Sequence, residues 1–195
     1  MKTILLILMS TFSLLCATQK IVVTTKELNS TTATLQRYED SEKVGDAIKV
    51  NIGRSGMSYD KKEGDGNAPA GEFKLGNVYG YKQSAETKMP YIQISSDLIC
   101  VDDSTHKEYN KIITIQDAKK IKSFEFMKRD DELYELLIEV KYNTKNTPKK
   151  GSCIFIHLQR DQNLPTAGCT SMSKENMNTL LKWLDPNKKP IFILK

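Results

Sequence analysis

Histidine is nearly absent from this chain. Its 195 residues carry two, His106 and His157. Cysteine is scarce as well, with four, and no CxxC pair occurs, which argues against a zinc ribbon. The phosphate-loop pattern G-x-x-x-x-G-K-S/T is missing. Gly53, Gly56, Gly64, Gly66 and Gly71 do crowd one segment, but it does not run from a strand into a helix, so tight turns account for them better. Asp102 and Asp103 are adjacent, whereas a calcium loop needs acidic ligands on alternate positions around a glycine. They read as turn formers. The formal net charge of +5 is spread thinly, without an arginine-rich arm or aromatic–basic interleaving, so no nucleic-acid partner is expected. Beyond the N-terminus no apolar run is long enough to span a bilayer.

The N-terminus has the form of an export signal. Lys2 supplies the positive charge, residues 4–15 a short apolar core, and Ala17 a small residue at the cleavage point. Residues 1–17 are therefore expected to be a signal peptide and 18–195 a single domain in the periplasm or cell envelope. Cys16 raises a lipid anchor as the lesser option, because Leu15 before it is not small.

Three cysteines follow the leader: Cys100, Cys153 and Cys169. An odd count leaves at least one thiol unpaired. Cys100 and Cys153 both sit in apolar runs, as small core residues or as partners in a bridge. Only Cys169 lies in polar, turn-like surroundings, where a reactive thiol belongs.

Alternating or apolar runs at residues 21–24, 31–38, 47–52, 72–75, 91–94, 123–128, 134–142, 151–158 and 190–194 read as strands. Residues 44–46 read as a turn between the second and third, residues 79–90 as loop, and 112–115 as ambiguous. The period changes at 174–184, where Met177, Leu180, Leu181 and Leu184 recur at helical spacing after a capping Ser173. Many short strands with one helix and no βαβ alternation predict a mainly β fold. The expectation is an antiparallel β-sandwich or barrel with one C-terminal helix and a final strand.

Chemistry concentrates in residues 151–172. An apolar run delivers His157, and a polar loop then leads to Thr166-Ala167-Gly168-Cys169. A thiol and an imidazole are the minimum parts for acyl transfer through a thioester. Gly168 permits close backbone approach, and amides at the start of the following helix are expected to lower the thiol pKa. His106 reads as a solvated loop residue.

These residues carry a resemblance. Ile156-His157, the Thr166-Ala167-Gly168-Cys169 turn and the upstream Ala68-Pro69-Ala70-Gly71-Glu72-Phe73 are similar to the histidine, nucleophile turn and Pro-x-Gly element of the L,D-transpeptidase catalytic domain family, also called YkuD-type. The chain resembles a compact branch, with Ala167 where better-known members have a second histidine and Ser171 where many have arginine. The resemblance implies an L,D-transpeptidase-like β fold and an exported cysteine acyltransferase acting on peptidoglycan stem peptides. Cys169 would be the nucleophile and His157 the acid–base group, oriented by a backbone carbonyl. The oxyanion hole would be built from Gly168, Cys169 and Thr170, with Thr166, Ser171 and Arg160 as substrate-binding residues. It implies no cofactor and no metal, and a monomer is expected. The alternatives are an L,D-carboxypeptidase or related peptidoglycan hydrolase and a non-catalytic cell-wall-binding module.

Overall fold

The computed structural model describes residues 18–195 apart from residue 118. The expected signal peptide and Cys16 lie outside the described residues. Among the described residues, fourteen strands and one α-helix follow in order. They are β1 (Gln19–Thr24), β2 (Thr32–Glu39), β3 (Glu42–Asn51), β4 (Met57–Ser58), β5 (Ala68–Pro69), β6 (Gly71–Gly80) and β7 (Tyr91–Gln93). Then come β8 (Leu98–Val101), β9 (Ile112–Thr114), β10 (Phe124–Phe126), β11 (Leu136–Val140), β12 (Phe155–Leu158), β13 (Thr170–Met172), α1 (Lys174–Trp183) and β14 (Ile191–Leu194).

The main sheet runs β11-β12-β13-β3-β2-β1-β14-β6-β7, and an additional β11–β6 pairing closes it into a barrel. Closure depends on the length of β6. Its first half pairs with β14, from Gly71↔Leu194 to Lys74↔Ile191, and the rest pairs with β11, from Leu75↔Val140 to Gly80↔Leu136. Closure leaves few free backbone edges. A second, three-stranded sheet, β10-β8-β9, lies outside the barrel sheet. Most pairings are antiparallel, but β1–β14, β6–β7, β4–β5 and β12–β13 are parallel. Among the described residues no helix is long and apolar enough to cross a membrane.

The two faces of β12 divide the interior. Ile154, Ile156 and Leu158 join the larger apolar cluster with Met177, Leu180 and Leu181 of α1. Phe155 joins a second cluster with Tyr79, Cys100, Met127, Tyr134, Leu137, Cys153 and Cys169. The helix begins where expected. The Ser173 side chain accepts from Asn176 N–H at 3.3 Å, and the cap at Leu184 ends it.

Several elements differ from their sequence reading. Residues 44–46 are not a turn. They lie inside β3, and the hairpin turns at Asp40, whose φ is +54°. Gly45 instead sits at a register shift in the β2–β3 ladder, with φ +65°, so that glycine marks a bulge. Tyr79 and Gly80 extend β6 rather than opening a loop, because β11 and β7 both pair with them. Residues 151–154 are not strand, since positive φ at Gly151 (+98°) and Cys153 (+54°) breaks the pleat before Phe155.

Candidate active site

The β12–β13 pair is parallel, so the loop after β12 must bring the chain back to where that strand began. His157 pairs with Ser171 and Ile156 with Thr170, which sets Cys169 beside Phe155. Side chains alternate along a strand, and partners in a ladder share a face. Phe155, His157, Cys169 and Ser171 therefore all project from one face. Thr170 lies on the other, opposite Ile156, 3% exposed and lining neither of the cavities at the thiol.

The turn that carries the thiol is held by one side chain. Thr166 Oγ1 donates to the carbonyl of Cys169 at 2.6 Å and accepts from the Gly168 N–H at 3.1 Å. Gly168 has φ +152°, and a Cβ there would come within 2.9 Å of the Asn67 carbonyl oxygen. Glycine is required by both the backbone and the space.

Cys169 is buried and is the one free cysteine among the described residues. Cys100 and Cys153 form a disulfide, which decides between the two readings of that pair. The Phe155 N–H donates to Cys169 Sγ at 3.3 Å, and the thiol donates to the Cys153 carbonyl at 3.5 Å. Burial pushes the thiol pKa up to about 12, and the negative charge of Glu125 adds to this. The expectation of a lowered thiol pKa is thus reversed. β13 stands between Cys169 and the start of α1, and among the described residues the thiol makes no hydrogen bond to His157.

His157 Nδ1 lies 2.7 Å from the Leu158 carbonyl oxygen. A carbonyl only accepts, so Nδ1 carries the proton and Nε2 offers its lone pair. Burial lowers the imidazole pKa to about 4. Both groups are neutral near pH 7. The site holds a thiol and a free base rather than a thiolate–imidazolium pair.

Two cavities meet at the thiol. One, of about 230 Å³, is lined by His157, Cys169, Thr166, Ser171, Arg160 and Arg129 among others. It gathers both expected catalytic residues and all three expected substrate-binding residues. Gly168 lines the other, of about 170 Å³. Arg160 is tied to Asp131 at 3.0 Å, and Asp131 also binds Arg129 at 2.6 Å, so a linked cation–anion–cation trio edges the first cavity.

Sequence reasoning missed Tyr134 and Glu125. Tyr134 lies edge-on to His157 with ring centroids 5.4 Å apart, and its hydroxyl donates to Glu125 at 2.9 Å. Glu125 pairs with Cys100 across the β8–β10 ladder and so points with it toward the site, while its neighbour Phe126 is 46% exposed. A charge turned inward between two outward phenylalanines is a readable signal, because it inverts the usual alternation. Glu125, Cys100 and Cys153 place ligand-type atoms within 4.8 Å of one another, but the disulfide occupies both sulfurs, so they are not a thiolate metal site. His106 sits away from the thiol, with its ring between the Lys119 carbonyl and the Glu108 N–H.

A buried thiol and a neutral imidazole share one face of a closed β-barrel. Residues 19–193 match the family model YkuD, the L,D-transpeptidase catalytic domain, and the chain belongs to that family. Among solved structures it is similar to the helical cell shape determining protein Pgp2 from Campylobacter jejuni, at 13% identity and a TM-score of 0.49, over 92% of this chain and 48% of that one. A variant of Pgp2 matches at 14% identity and a TM-score of 0.48, over 92% and 47%. The chain thus spans about half the length of these structures. No curated protein matches it in sequence.

Proposed function

We propose that this protein is an exported cysteine acyltransferase that cuts and rejoins peptidoglycan stem peptides through a thioester on Cys169. The observation that carries the reading is the placement of Cys169 and His157 on one ladder face, lining one cavity, with His157 Nε2 unprotonated. His157 takes the thiol proton as Sγ attacks the carbonyl of the donor peptide. The developing oxyanion is met by the Cys169 N–H and by the Gly168 N–H once Thr166 Oγ1 releases it. One such donor contributes about 2.7–4 kcal/mol to transition-state stabilisation. Thr170, the third expected donor, would join that hole only through its backbone N–H, because its side chain lies on the far face of the ladder. His157 then protonates the departing D-alanine amine and the C–N bond breaks, leaving a thioester and a neutral imidazole. Arg160 and Ser171 contribute charge and a hydroxyl to the donor cavity.

The Cys100–Cys153 disulfide supports export, because such bonds persist in oxidising compartments. The deciding experiment is product analysis with a tetrapeptide stem, with and without an added amine. A new amide together with D-alanine release supports transfer. D-alanine release alone indicates an L,D-carboxypeptidase. Saturable binding with no D-alanine release would identify a cell-wall-binding module and overturn the reading.

A further inference from the structure

The second cavity at the thiol differs from the first in chemistry. Cys169, Ala167, Tyr134 and Glu125 line both, but His157 belongs to the first and Lys61, Glu63 and Asp102 to the second. Of the two cations in the second, Lys61 is held by Asp65 at 3.0 Å, and Arg54 donates to the Gly64 carbonyl at 3.4 Å. Of its three carboxylates, Glu63 takes the hydroxyls of both Tyr109 and Ser152 on its Oε2. The other two are less engaged. Asp102 carries a buried Oδ1 with no hydrogen-bond partner among the described residues. Glu125 Oε2 accepts from Tyr134, and no described residue donates to its Oε1. A buried carboxylate oxygen without a donor costs free energy that a cationic ligand would recover.

We propose that the second cavity receives the acyl acceptor as a primary ammonium, and that Glu125 takes the proton which frees its amine for attack. The proposal rests on the acyl-transfer reading above. The ammonium enters between Asp102 and Glu125 and gives one proton to Glu125. The neutral amine nitrogen attacks the thioester carbonyl, and His157 takes a second proton from it. The C–S bond breaks, its electron pair stays on sulfur, and His157 returns that proton to Sγ. An amide and a free thiol result, and Glu125 loses its proton to solvent. Tyr134 links the two bases, since it fixes the Glu125 carboxyl through its hydroxyl while its ring packs on His157. Burial pushes the Glu125 pKa up to about 7. Tyr134 and Arg129 oppose the rise, and Asp102 and Glu63 add to it. Cys169 also faces it, and Lys61 and Arg54 share the second cavity with it as His157 and Arg160 share the first. A base of that pKa suits proton transfer near neutral pH.

The test uses Glu125→Gln in the full chain, which keeps an oxygen for the Tyr134 hydroxyl. Cys169 acylation by a tetrapeptide stem is followed by intact mass, and amide formation is followed with a stem peptide carrying a free side-chain amine. Amide formation should fall at least about tenfold more than acylation does, and it should lose its rise with pH near 7. Asp102→Asn should raise the KM for the amine at least about fivefold and leave acylation unchanged. Wild-type transfer by Glu125→Gln with the same pH profile, an equal fall in both steps, or an unchanged amine KM in Asp102→Asn would overturn the role. Failure of the wild-type protein to acylate at all would instead refute the acyl-transfer reading, and this role with it.

Discussion

The Cys169 thiol donates to the carbonyl oxygen of Cys153, 3.5 Å away, and so rests against the residue that joins β12 to the disulfide. With its pKa pushed up to about 12 by burial, the resting thiol is protonated. Alkylation of Cys169 by iodoacetamide at pH 7 should therefore be slower than that of a free cysteine, and should climb steadily above pH 9. Rapid labelling that is flat across neutral pH would reveal a thiolate–imidazolium pair and contradict the neutral resting state.

The disulfide closes a loop with a sequence separation of 53 and ties β8 to the residues just before β12. In the chain-entropy view it contributes up to about 4 kcal/mol. The double variant Cys100→Ala, Cys153→Ala should lose a comparable amount in denaturant unfolding. Peptide mapping without reduction should find Cys100 joined to Cys153 and Cys169 free.

Thr166→Val removes both hydrogen bonds that shape the nucleophile turn. Each contributes about 0.5–1.5 kcal/mol to stability, so unfolding should register a loss of about 1–3 kcal/mol. Activity should fall further than stability, because the Cys169 carbonyl loses its anchor and the turn that carries the thiol loosens. Gly168→Ala should be worse, since its Cβ meets the Asn67 carbonyl and φ is unfavourable. A kcat near that of wild type in either variant would show that turn geometry does not control the reaction.

Stability should respond to pH in a compensated way. His157, with its folded pKa lowered from 6.5 to about 4, binds its proton more readily when unfolded, so its contribution is lost as pH falls from 6.5 to 4. Glu125, raised from 4.5 to about 7, has the opposite sign, and its contribution grows as pH falls from 7 to 4.5. Between pH 4.5 and 6.5 the two nearly cancel, and the thermal midpoint should be almost flat. Glu125→Gln removes one arm. Its stability should then fall with acidification over that window, by at most about 1.4 kcal/mol per pH unit. A variant as flat as wild type would contradict the buried, neutral state of His157.

The local patterns were readable wherever one face of an element is buried. The helical spacing of Met177, Leu180 and Leu181 and the apolar run at Ile191–Leu194 both match what the structure shows. The turn reading of Gly45 fails because a turn glycine and a bulge glycine share the same positive φ, and only the β2–β3 register separates them. His157 and Cys169 were legible because one strand, one loop and the next strand carry both. Glu125 and Tyr134 were not, because Tyr134 reaches the His157 ring through the pairing of β11 with β12, and Glu125 reaches Tyr134 only once β10 pairs with β8. Asp102 was read together with Asp103 as a turn former. Asp103 is one, accepting from Thr105 and Lys122, but Asp102 turns its Oδ1 inward without a partner among the described residues.

The central claim is a thioester on Cys169, and intact-protein mass spectrometry after mixing with a tetrapeptide stem tests it most directly. Wild-type protein should gain the mass of the stem minus D-alanine, mapped to Cys169. Cys169→Ala, folded as wild type by circular dichroism, should gain nothing and lose at least about a thousandfold in D-alanine release. Undiminished release by Cys169→Ala, or an adduct on another residue, would contradict the account.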